Sequence, residues 1–67
     1  MEIKDLICEK RKEKKLTQRQ LGELLGYEGR TAEMMVQKWE YGSRPVNPKH
    51  YRKLAEIFGI SPEELIP

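Results

Sequence analysis

Apolar residues recur along this chain at helical spacing, separated by charged and polar ones. Ile3, Leu6 and Ile7 share one face of a segment running from Glu2 to about Lys14. Leu21, Leu24 and Leu25 form the inward face of a second segment, about 17–26. Ala32, Val36 and Trp39, with Met35 beside them, line a third at about 31–41. Glu33, Met34, Gln37, Lys38 and Tyr41 there point elsewhere, as a mixed polar face. Tyr51, Leu54, Ala55 and Phe58 mark a fourth, and a short turn ending in Leu65 follows it. No stretch alternates as a strand would, and no repeat occurs. The pattern predicts an all-α chain, a compact five-helix bundle in a single domain, 1–67.

Local signals sharpen the boundaries. Thr17 with Gln20 makes a capping box for the second helix, and Leu16 with Leu21 its hydrophobic staple. Gly22 lies mid-helix, at a cost of about 1 kcal/mol relative to alanine, which a close contact with a neighbouring helix would explain. Gly26 ends that helix, 27–30 reads as turn, and Thr31 is the expected cap of the third helix, which Gly42 stops. Pro45 and Pro48 make 43–46 an extended link. Asn47 caps the fourth helix with Pro48 at its first position, and Gly59 ends it. Ser61, Pro62 and Glu64 repeat the capping device, with Ile60 and Leu65 as staple.

Charge adds little. The net charge is +2, although residues 10–19 carry six bases against Glu13 alone, a cluster suited to phosphates or to plain solvation. Arg11 follows Ile7 by four positions, on the apolar face, and so needs a partly buried partner. Cys8 is the only cysteine, which suits a reduced, cytoplasmic protein and excludes an internal disulfide. No signal peptide or membrane span is present. His50, a lone histidine at a helix start, is expected to be exposed. No nucleophile–base set, metal cluster or phosphate loop is found, so neither an enzyme nor a cofactor is expected.

The order and spacing of these features carry a resemblance. Arg11, Leu16-Thr17-Gln18, Leu21-Gly22-Glu23-Leu24-Leu25-Gly26, Val36, Trp39-Glu40-Tyr41-Gly42, Arg44-Pro45 and the run from Leu54 to Leu65 match the pattern. The chain resembles the Cro and lambda-repressor type of helix-turn-helix domain over nearly its whole length. Two departures stand out. Gly22 replaces the family's usual alanine, which reads as a mild change. Glu40 follows Gly26 by fourteen positions, several more than the family leaves. The excess is placed in Tyr27 to Arg30, the alternative being an extra turn at the start of the third helix.

The resemblance implies double-stranded DNA binding with the third helix in the major groove. It carries base-contacting roles to Glu33, Met34, Gln37 and Lys38, with Thr31 and Arg30 at the margin. Gln37 suits adenine, Lys38 guanine, Glu33 the cytosine amino group and Met34 a thymine methyl. Gln18 and Arg19 at the start of the second helix, and Ser43 and Arg44 after the third, are the expected phosphate contacts. The family pairs Arg11 with Glu40 as a structural ion pair. Trp39 is read as core rather than as a stacking platform for single strands.

The expected function is a repressor-like transcriptional regulator binding a short operator as a homodimer, with Leu65 and Ile66 in the dimer surface. No small-molecule effector site is expected within the domain, and a further C-terminal domain stays open. The competing reading, kept open by the acidic Glu28 and Glu33 near the reading face, is an antitoxin-like protein-interaction module with weak or secondary DNA binding.

Overall fold

The computed structural model describes residues 2–66. Four α-helices follow in order: α1 (Ile3–Glu13), α2 (Gln18–Leu24), α3 (Gly29–Tyr41) and α4 (Tyr51–Phe58). Two 3-10 turns, Pro48–His50 and Pro62–Leu65, precede and follow α4, and no strand occurs among the described residues. The chain is all-α, but the fifth helix is only a four-residue 3-10 turn. Pro67 explains its stop: the residue before a proline is excluded from the α region, and Ile66 is extended at ψ 127°.

Asp5 lies in the first turn of α1 and Lys10, Arg11 and Lys12 in its last, in line with the helix dipole. Its exit is left-handed without a glycine. Lys15 has φ +56°, and the Leu16 N–H donates to the Arg11 carbonyl at 3.1 Å. The capping box of α2 forms as expected: Thr17 Oγ1 accepts from the Gln20 N–H at 3.0 Å and Gln20 Oε1 from the Thr17 N–H at 2.8 Å.

The close contact expected at Gly22 is with α3. A β-carbon there would stand 2.3 Å from the Ala32 carbonyl oxygen, so the substitution is not the mild one expected. Because α3 lies against Gly22, the packed face of α2 centres on Leu21, Gly22 and Leu25. Leu24 falls outside it and is 49 % exposed, against expectation.

The same approach settles where the extra residues go. Residues 29 and 30 are helical, so α3 starts ahead of Thr31 with Glu28 as its cap. The Glu28 carbonyl accepts from the Thr31 and Ala32 N–H groups at 3.1 and 3.3 Å. Gly29 has φ +53°, a conformation that favours glycine and turns the chain sharply into the helix. α3 thus takes in Gly29 and Arg30, part of the lengthened segment, and only Tyr27 and Glu28 separate Gly26 from it.

Ile7, Leu21, Val36, Trp39, Leu54 and Leu65 make up the centre of the core. His50 joins it at 6 % exposure, contrary to the expected exposed position. A hydrogen bond links His50 Nε2 to Tyr27 Oη at 2.8 Å, and the His50 ring lies against Trp39 at 5.6 Å between centroids. Position at a helix start hid this partner, which lies 23 residues away. The pair joins the α2–α3 connection to the turn that leads into α4.

Candidate nucleic-acid interface

The outer face of α3 follows from its inner one. Ala32, Val36 and Trp39 are buried, and at 100° per residue the opposite direction is occupied by Arg30, Met34, Gln37, Lys38 and Tyr41. Arg30 and Lys38 are exposed, Met34 is 43 % and Tyr41 74 % exposed, and Gln37 is half-buried. Thr31 and Glu33 flank this ridge on opposite sides, Thr31 exposed and Glu33 half-buried. Of the six sequence-predicted base contacts, four therefore lie along one ridge and two at its margins. Arg30, expected in a turn, belongs to the first helical turn. From Arg30 to Tyr41 the ridge is about 16 Å long.

The predicted phosphate contacts lie on both flanks. Arg19, exposed, sits beside the start of α3: its guanidinium is 3.9 Å from where a Gly29 β-carbon would be. Its contact with Glu23 is long, 3.5 Å, and solvated. Gln18 is half-buried and donates from Nε2 to Glu40 Oε1 at 3.1 Å. Beyond the other end of α3, Arg44 is exposed and reaches back to Met35 Sδ at 3.9 Å. The Ser43 hydroxyl donates to the Lys38 carbonyl at 3.3 Å, so its first task is to close α3.

Beneath this surface lies the pair formed by Arg11 and Glu40. Arg11 Nε donates to Glu40 Oε2 at 2.7 Å and Nη2 to Oε1 at 3.2 Å. Arg11 Nη1 donates to the Leu16 carbonyl at 2.8 Å. Both side chains are nearly enclosed, at 12 % and 5 % exposure. The bond to Glu40 raises the Arg11 pKa further, against the opposing effect of burial, so the guanidinium stays charged. His50 shifts the other way: burial, and then the charge of Lys49, lower it from 6.5.

One feature escaped the sequence. Nothing in the spacing joins Gln18 to Glu40, since that bond depends on how α2 and α3 pack. Tyr41 was legible, because it follows Gln37 by four and Lys38 by three positions on the exposed stripe. Trp39 is 2 % exposed, as core, and so offers no face for stacking bases. Its Nε1 has no partner among the described residues. Among the described residues no cluster of three or more potential metal ligands occurs, and no helix there is long and apolar enough to cross a membrane.

The helix-turn-helix family model matches residues 9–65. No curated protein and no solved structure gives a significant match. The matched span begins within α1, before Arg11, and ends at Leu65, so it includes the ion pair, α2, α3 and the C-terminal turn. This chain belongs to the helix-turn-helix family of the Cro and lambda-repressor type, a family of DNA-binding regulators.

Proposed function

We propose that this protein is a sequence-specific, repressor-like transcriptional regulator that lays the outer ridge of α3 in the major groove of an operator. One observation carries the reading: the ridge from Arg30 to Tyr41 is opposite the core and largely exposed, in a chain of this family. Arg30, Met34, Gln37 and Lys38 face base edges, with Thr31 and Glu33 at the groove walls. Arg30 and Lys38 suit guanine N7 and O6, and Gln37 suits adenine N6 and N7. Gln18 and Arg19 contact the phosphates on one side of the groove, Ser43 and Arg44 those on the other. The reading involves no catalysis and no cofactor, and places the protein in the cytoplasm with DNA.

One short ridge touches few base pairs, so we propose two copies on half-sites about 10 bp apart. A groove of about 580 Å³ whose accessible apolar lining comes from Ile3, Tyr41 and Ile66 offers a surface for the second copy, whereas Leu65, expected in the dimer surface, is buried in the core. A protein partner is the second reading, to which Leu24, 49 % exposed on α2 and beside Leu16 in a shallow groove, would offer an apolar contact.

Selection from a randomised duplex pool, with retesting at two salt concentrations, tests the proposal. An enriched inverted repeat bound less tightly as salt rises is the expected result. Absence of any enriched sequence would reject specific recognition and leave the protein-partner reading.

A further inference from the structure

We infer that Glu40 is a positioning residue for DNA, holding Gln18 so that one of its amide N–H groups is offered to a backbone phosphate. The inference rests on the DNA-binding reading above and assigns a second task to a residue otherwise only half of an ion pair.

Glu40 Oε2 accepts from Arg11 Nε, while Oε1 accepts from both Arg11 Nη2 and Gln18 Nε2. A carboxylate only accepts, so the Gln18 atom facing it has to be the amide nitrogen. That nitrogen carries two hydrogens. Glu40 takes one, and the other diverges from it in the amide plane. A phosphate likewise only accepts, so it needs this second hydrogen and has no use for Gln18 Oε1. Turning the amide over would set Gln18 Oε1 against the Glu40 carboxylate. The charge of Glu40 therefore selects the orientation that presents a donor.

The arrangement also fixes a distance. Gln18 opens α2, Glu40 lies in the last turn of α3, and Arg11 reaches them from α1 while bonding the Leu16 carbonyl. The phosphate donor and the reading helix are thus tied to one enclosed charge pair before DNA arrives. Ordering the side chain in advance removes part of the entropy cost of contact.

The test compares the unaltered protein with Gln18→Ala, Glu40→Gln and the double variant. Each is bound to the duplex the unaltered protein enriches and to a random-sequence duplex, at a temperature where circular dichroism shows it folded. Glu40→Gln and Gln18→Ala should each bind ~5-fold more weakly. The loss should be equal on both duplexes, because a phosphate contact carries no sequence information. The double variant should bind no worse than either single one. Losses that multiply, or Glu40→Gln binding like the unaltered protein, overturn the inference.

If Glu40→Gln fails to fold, the Gln18 side-chain amide resonances of the unaltered protein decide. One of the two protons moving on addition of DNA supports the role, and neither moving overturns it. Should the unaltered protein bind no duplex, the DNA-binding reading falls and this inference with it. Should Gln18→Ala weaken binding while Glu40→Gln does not alter it, only the role of Glu40 falls.

Discussion

At its start α3 is held by shape, and at its end by charge. Gly22 lets the first turns of α3 approach so closely that any β-carbon would meet the Ala32 carbonyl, and Gly29 supplies the left-handed entry. At the other end Glu40 gathers bonds from Arg11 and Gln18, and Gly42 closes the helix at φ +77°. Steric fit of this kind has no strength of its own but tolerates no added atom. A buried ionic bracket tolerates small shifts but not the loss of one partner. The ridge proposed to read DNA is aimed by both.

Breaking the bracket should do the greatest harm. Glu40→Ala leaves the enclosed Arg11 without its carboxylate and should destabilise the fold by about 3–5 kcal/mol, with DNA binding weakened as a consequence. Denaturant unfolding measures this, and undiminished stability would refute it.

Filling the gap at the start comes next. Gly22→Ala should cost about 2 kcal/mol, since a methyl group must push α3 away or distort α2. It should also weaken binding more than its stability loss explains, because Arg30 and Met34 move with the start of α3. Folded protein that binds like the original would show that the start is not set by this contact.

Acid should act through His50. His50 bonds Tyr27, two residues before α3 begins, and burial lowers its pKa from 6.5. Its folded value is the lower one, so protonation favours the unfolded chain. Stability from this source is complete above the unfolded value of 6.5, declines as pH falls below it, and levels off under the folded value. Melting temperature across this window should fall for the natural protein and less for His50→Gln. Parallel curves would remove His50 from the explanation.

The smallest effect sharpens the comparison by touching neither end. Lys15 occupies a left-handed turn at φ +56°, and Lys15→Gly should stabilise the fold by about 0.5–1 kcal/mol, with only a small, salt-dependent loss of DNA affinity from the removed charge. A loss of stability would contradict the turn geometry.

The contrast also explains what the sequence revealed. Caps and stripes are local, so Thr17–Gln20, Gly42 and the buried set Ala32, Val36 and Trp39 were legible from spacing. The Arg11–Glu40 pair came from family resemblance together with an arginine on an apolar face. Spacing alone puts the start of α3 too late because the rule that decides there is tertiary: Gly22 and Gly29 read singly as a weak helix position and a loop residue. Only together do they admit a helix that starts at Gly29. Leu24 failed for the same reason, since α3 shifted the buried face of α2 toward Gly22. Spacing alone puts His50 on the surface because its partners, Tyr27 and Trp39, lie on other elements. On the proposed DNA surface, the sequence placed the ridge but not the bond between Gln18 and Glu40.

Methylation interference on the enriched duplex tests the central claim most directly. Dimethyl sulfate modifies guanine N7 in the major groove and adenine N3 in the minor groove. If α3 reads the major groove through Arg30, Gln37 and Lys38, guanine N7 methylation within each half-site should block binding while adenine N3 methylation should not. Interference confined to adenine N3, or none at either, would contradict major-groove recognition by α3.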